Sequence, residues 1–331
     1  MSKIRKLYYF DKKNVRKMIS FLNNGTDDTY VNHIMFNPLL PLHSILPLNN
    51  KFLPESYILK DNKDIKSIIT VAPTKCPLKQ MEIQKLLFED DAYEAAGELI
   101  QYVVSKYKAR GTASFIVKID DYLQELIRLF TARCGFSQIS YERLWKVKHI
   151  KRKKYNKKIF RHFRTSDAQV VANLYNDLLL PHFRPLLSKE KKEFEELFFK
   201  GLSYYNEYKY ILEDRESKSV LAYISIQTSD NVNYIVDFLT TGWSEIDIDV
   251  ILSFIKDQIR KRKKRYHLYI RTQKYNQLGE KYENDFRERG FECIKNQAIL
   301  TNSSAKIIKD TEREGRFTVL TQFYSGVRVT N

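Results

Sequence analysis

Lysine and arginine dominate the groups in this chain that could do chemistry, 57 of them against 40 acids, for a net charge of +17. The surplus gathers in two runs. Residues 148–164, KHIKRKKYNKKIFRHFR, hold nine Lys or Arg and no acid, and residues 256–265, KDQIRKRKKR, close a predicted helix. Runs like these attract RNA or another polyanion by releasing counterions, and Tyr155, Phe160 and Phe163 offer faces on which bases could stack. The plainer alternative is a solvated face, and cations at a helix C-terminus are favourable with no partner. Acids gather as well. Glu89, Asp90, Asp91, Glu94 and Glu98 surround a predicted helix start, where carboxylates suit the helix dipole but repel a phosphate. Glu82 stands apart between apolar Met81 and Ile83 in MEIQKLLF, and on an alternating strand it faces either solvent or a site. The six histidines lack metal-ligand spacing, and their order defines no Ser-His-Asp grouping. Cys76, Cys134 and Cys293 form neither a metal nor a disulfide pattern. They are expected to be buried packing residues in a reducing, cytoplasmic compartment.

The elements that must position these groups occur twice. Gly135-Phe136 closes the run LQELIRLFTARCGF, and Gly290-Phe291 closes LGEKYENDFRERGF 155 residues later. A helix that stops at Gly uses the residue that enters the left-handed conformation cheaply, and the next Phe folds back on the last turn. A short apolar strand precedes each helix, ASFIVKI (113–119) and YHLYIRT (266–272), and an extended run follows, ISYERLWKV and ECIKNQAIL. Asp11 and Asp167, offset by 156, each open a helical pattern. Helix, strands, helix, strand, helix, strand in both halves predicts an α/β fold of two tandem domains, 1–150 and 151–331. Each is expected to be a mixed, mostly antiparallel sheet flanked by helices. At 331 residues and 43% hydrophobic content, two such domains can bury ample cores. No run of 18 apolar residues suggests a membrane span, and the N-terminus lacks the apolar segment of a signal peptide.

With the duplication in view, residues 81–150 resemble the GCN5-related N-acetyltransferase superfamily, and the whole chain is similar to its tandem members. MEIQKLLFEDDAYEAAGELIQYVVSKYKARGTASFIVKI looks like the family's acyl-CoA-binding strand, pyrophosphate loop, helix and next strand. QELIRLFTARCGFSQISYERLWKV looks like its final helix and strand. The resemblance implies transfer of an acetyl group from acetyl-CoA, a co-substrate, to an amine on a small molecule or peptide. It implies Glu82 as the base that deprotonates the amine, directly or through water. Cofactor contacts would come from Leu87, Phe88, Ala92, Ala95 and Gly97, and no metal is implied. A diphosphate needs backbone N–H groups at a helix start, with small residues allowing close approach. Here Ala92 replaces the family's Gln or Arg and Ala95 its inner glycine, while Gly97 remains; Gly97 equally suits a close helix crossing. The second copy has Ser244 to Asp249 in that place, with no glycine and three acids, and Tyr234 where the first has Glu82. The first copy is therefore the expected active one and the second the degenerate one. The family's usual acid, a Tyr four residues before Gly-Phe, is Thr131 and Phe286 here, with Tyr93 or Tyr122 as substitutes in another geometry.

A Pro-Leu-rich segment, NPLLPLHSILPLNNKFLP (37–54), carries His43 and reads as a lid over the sheet or a cover for an acyl chain. Two alternatives to the acetyltransferase stand beside it. One is a non-catalytic tandem protein binding RNA or another polyanion at 148–164 and 256–265, and the other a tRNA-dependent aminoacyltransferase.

Overall fold

The computed structural model describes residues 2–18 except 12 and 16, 54–75 except 62 and 63, and 80–195 except 90, 91, 157 and 158. It also describes 206–303 except 215, 218 and 243–245, and the strand segments 306–308 and 318–320. The segment 37–53 with His43, and Cys76, lie outside the described residues.

The first half contributes β1 (Ser2–Lys6), β2 (Glu55–Asp61), β3 (Asp64–Lys75), β4 (Gln80–Phe88), α1 (Tyr93–Lys108) and β5 (Ser114–Asp120). It then adds α2 (Gln124–Arg128), which runs into a π-helical turn at Leu129–Arg133, and β6 (Ser137–Lys146). The second half repeats the plan. It has β7 (Phe160–His162), α3 (Ala168–Leu178), β8 (Asn206–Glu213), β9 (Val220–Thr228) and β10 (Asn233–Thr240). After these come α4 (Ile248–Arg260), β11 (His267–Gln273), α5 (Gly279–Glu288) and β12 (Glu292–Ser303). In each half the pairs are antiparallel until the last, β4–β5 and β10–β11, which is parallel.

Local chemistry shows why the repeated residues recur. Arg5 grips Asp11 with two guanidinium bonds of 2.7 and 2.6 Å, and the Tyr8 N–H donates to the same carboxylate. Arg161 grips Asp167 at 2.7 and 2.9 Å, and the Arg164 N–H donates there as well. Each bidentate clamp ties the first strand of its half to the start of the following helical segment. Gly135 and Gly290 close the second helix of each copy at φ +68° and +70°, the left-handed region where a side chain would be strained. The Phe291 N–H bonds the Phe286 carbonyl, five residues back. In the first copy the Phe136 N–H reaches Phe130, six back, as the π-turn requires.

The two halves interlock. Strand order is β1-β2-β3-β4-β5-β12-β6-β11-β10-β9-β8-β7 in one twelve-stranded sheet. The closing strand of the second half, β12, lies against β5 of the first, while β6 lies against β11 of the second. Strand parity then distributes the cores. Beneath α1, Leu99, Val103, Phe115 and Phe130 pack with Ala298 and Leu300 of β12. Beneath α4, Ile251, Ile255 and Phe286 pack with Trp145 of β6. The alternate residues Ile116, Ile299, Ile211 and Leu239 face the other side, where α3 covers them. Cys134 is buried as expected, its thiol pushed up to about 11 by burial. Cys293 is exposed, which corrects the expectation of three buried cysteines: it sits where a β-bulge twists β12 outward.

Candidate active site

In each copy the parallel pair opens into a V. The β4–β5 ladder stops at Ile83–Val117, although β4 continues to Phe88 and β5 to Asp120. The β10–β11 ladder stops at Val236–Ile270, although those strands continue to Thr240 and Gln273. Beyond this shared plan the copies diverge at three points. On β4 the pairing to β3 slips just past the opening: Val71 faces Ile83, Thr70 faces Lys85, and Gln84 is the extra residue. Such a bulge interrupts the ladder and re-aims backbone groups, whereas β10 pairs with β9 in unbroken register.

The second difference lies at the helix starts. Ala92 precedes α1 and has no side chain to cap it. Asp247 precedes α4, accepts the Asp249 N–H at 2.8 Å and ion-pairs with Lys153, whose hydrogen bond holds the carboxyl below its usual range. A protein carboxylate thus occupies the anion position of the second copy. Two of the acids near α1 are paired with cations, Glu89 with Lys66 at 2.6 Å and Glu94 with Arg133 at 2.7 Å, which lessens their repulsion of a phosphate. The third difference is inside the V. Tyr282 of α5 hydrogen-bonds the Thr240 hydroxyl, and its ring sits 4.9 Å from Phe238, bridging the second opening. In the first copy, Tyr93 of α1 donates to the Glu125 carbonyl at 2.6 Å.

On the α3 side of the sheet, where the copies meet, lies a cavity of about 320 Å³. Lys118 of β5 and Arg271 of β11 hold matching positions in the two copies and both reach Glu142 of β6, at 2.9 and 4.0 Å. Tyr275 donates to the same carboxylate at 2.6 Å. Burial pushes Glu142 up, but the charges of Lys118 and Arg271 and the hydrogen bonds outweigh it and hold the carboxyl down at about 2. Glu142 faces Gln297 across the β6–β12 seam, so one carboxylate serves cations from both copies. Arg271 also lies 3.5 Å from Asp237.

The predicted residues fall in different places. Glu82 lines this cavity, one residue before the V opens. By register, Met81 and Tyr234 are the matching pair, opposite Phe115 and Leu268; the second-copy counterpart of Glu82 is Ile235, and Tyr234 packs under α4. Ala92 and Ala95 flank the uncapped helix start, and the Ala95 carbonyl accepts from Ser67. Phe88 packs edge-on to Tyr93 at 6.2 Å, while Leu87 turns to the small cluster around Ile58 and Ile68. At Gly97 a Cβ would meet Leu129 Cδ1 at 3.3 Å, so its smallness serves the crossing of α1 over the π-turn. Thr131 donates back to the Ile127 carbonyl and Phe286 is fully buried, while Tyr122 is largely exposed.

Of the stacking faces expected in 148–164, Tyr155 is half-buried and lines, with Phe160, a second cavity of about 520 Å³ that also takes in Arg152, Arg260 and Lys261. Phe160 and Phe163 are buried, Phe160 stacks on Phe254 at 4.0 Å, and Tyr155 donates to Asp257. The run lies along α4, with the Lys153 N–H on the Ser253 hydroxyl. Among the described residues there is no metal-ligand cluster, and no helix is long and apolar enough to cross a membrane.

Two copies of an α/β domain, each with a splayed parallel pair and interlocked through exchanged closing strands, define the tandem GCN5-related N-acetyltransferase fold. Solved structures agree. The chain is similar to a tandem GNAT protein from the clavulanic acid biosynthesis pathway, with TM-score 0.62 and 9% identity over 92% of this chain and 98% of that one. It is similar to a GCN5-related N-acetyltransferase from Sphaerobacter thermophilus, with TM-score 0.60 and 9% identity over 91% and 95%. A probable N-acyltransferase from Enterococcus faecalis V583 matches with TM-score 0.54 and 9% identity over 92% and 72%. No protein-family profile and no curated protein matches the sequence.

Proposed function

We propose that the protein is an N-acyltransferase that moves an acetyl group from acetyl-CoA to an amine, with the first copy as the working one. The observation that carries this is the contrast between the two Vs. Only the first combines a bulged strand, a helix start with no side-chain cap and a carboxylate facing the cavity. Acetyl-CoA bound there would supply an activated acyl carbon. The α1 N-terminus, with Ala92 and Ala95 leaving its N–H groups accessible, would hold the diphosphate, and Arg133 stands beside it. Glu82 takes the proton from the acceptor's ammonium, directly or through water, and frees the lone pair for attack. The interrupted ladder at Gln84 gives backbone N–H groups a place to meet developing negative charge on oxygen. The second copy closes the cavity with Arg271, Tyr275 and the segment after α3.

The neighbours' names support an acyl transfer: one is titled an N-acetyltransferase and another a probable N-acyltransferase. Thiol release from acetyl-CoA with a panel of amines tests the proposal. Turnover by the wild-type chain and its loss in Glu82→Gln are expected; undiminished turnover in that variant would remove Glu82 from the mechanism.

A further inference from the structure

The charges lining the cavity can be sorted by whether the protein already satisfies them. Glu142 is held by Lys118, Arg271 and Tyr275, and Asp237 is ion-paired to Arg271 at 3.5 Å, although its buried Oδ1 accepts no hydrogen bond among the described residues. Glu207 accepts from Ser225 at 2.7 Å and pairs with Lys209 at 3.2 Å, and Glu193 accepts the Glu190 N–H. Two charges are left over. Glu82 makes no hydrogen bond and no ion pair within 4 Å among the described residues, and feels Arg271 only at longer range. Lys189 reaches the cavity with its Nζ 4.7 Å from the Tyr175 ring centre and 5.6 Å from that of Phe194, and no carboxylate bonds to it among the described residues.

Lys189 is also fixed in place. Asn176 of α3 accepts its backbone N–H at 2.8 Å and donates to its carbonyl at 2.9 Å, so α3 clamps both sides of the residue. Burial pushes the ammonium's pKa down, with Glu193 giving only partial support. A desolvated cation short of counter-charge gains from an anionic ligand, as a lone carboxylate gains from a cationic one.

We propose that the acceptor is a small amino acid-like zwitterion, whose ammonium meets Glu82 and whose carboxylate meets Lys189. This rests on the acetyltransferase proposal for the identity of the amine, and adds Lys189 as a specificity residue contributed by the second half. A cavity of about 320 Å³ lies at the small end of the roughly 300–1,000 Å³ of ligand pockets, which suits a free small molecule. A neutral amine would leave the half-buried Lys189 with aromatic faces and no anion, and a simple carboxylate would leave Glu82 without a cation.

The test is equilibrium binding to the full chain of matched compounds: the protein amino acids, their amides and the corresponding amines lacking the carboxylate. At least one amino acid is expected to bind about tenfold or more tightly than its amide. In Lys189→Gln that ratio should fall to about one while acetyl-CoA affinity is unchanged, and Lys189→Arg should retain it. An amide that binds as well as its acid, a ratio that survives Lys189→Gln, or a panel with no binder would overturn the proposal. A preserved acid-to-amide ratio in a chain that fails to bind acetyl-CoA would instead sink the acetyltransferase proposal and leave this one standing.

Discussion

The starts of α1 and α4 are the same place in two copies of one domain, and they are finished in opposite ways. At α4 the protein supplies its own anion, Asp247, and Tyr282 bridges the neighbouring opening. At α1 the position is Ala92, Glu89 and Glu94 are paired with Lys66 and Arg133, and the adjoining strand is bulged. A duplicated fold can keep its shape while one copy caps a helix start that the other leaves open. The second copy also shapes the seam, because its Arg271 and Tyr275 hold Glu142 there.

Changes on either side of that contrast should have graded effects. The largest is expected for Glu82→Gln, which removes the cavity carboxylate carried by β4 at the first V. It should lower kcat by about 10²–10⁴ with acetyl-CoA affinity intact, and a kcat within a few-fold of wild type in steady-state assays would break the asymmetry. Next is Glu142→Gln, which leaves Lys118 and Arg271 without their shared partner and should cost about 3–5 kcal/mol in denaturant unfolding. The same carboxylate gives an acid limb. Its folded pKa of about 2 lies below the unfolded value of about 4.3, so its stabilisation is complete above that value and fades as pH falls toward 2. Glu142→Gln should flatten stability across that window, and an unchanged acid limb would contradict the assignment.

Smaller effects separate the helix starts. Ala95→Asp puts a carboxylate in the first turn of α1. It should weaken acetyl-CoA at least about tenfold by repelling its diphosphate while leaving Tm level or slightly higher, since acids suit that turn. Asp247→Ala should do the reverse. Loss of the α4 cap is expected to cost about 0.5–2 kcal/mol with no change in acetyl-CoA affinity, as calorimetry would show.

Much of the fold was legible because it leaves the same letters twice. Gly135 and Gly290 hold positions that need positive φ, and Asp11 and Asp167 each receive an arginine clamp and a backbone N–H, so both pairs recur at nearly one offset. The exchange of β6 and β12 left no such mark. Both are alternating strands, and nothing local says which half a strand will join. Strand parity also hid one match, since a one-residue slip set Tyr234 rather than Ile235 against Glu82. At the site, Glu82 was legible as a charge in an apolar strand, but the Gln84 bulge depends on the neighbouring strand's register. Lys118 and Arg271 could have been found, being cations at matching positions of ASFIVKI and YHLYIRT. Glu142 and Lys189 gain meaning only from partners more than 20 positions away or from tertiary burial. The burial of Phe160 was hidden for a similar reason, because its partner Phe254 lies on a distant helix.

The central claim is that one copy, the first, holds the co-substrate. Isothermal titration of acetyl-CoA into the wild-type chain, Ala95→Asp and Asp247→Ala tests it most directly. One molecule bound per chain, weakened in Ala95→Asp and unaltered in Asp247→Ala, is the predicted result. Two molecules per chain, none, or a loss confined to the Asp247 variant would contradict it.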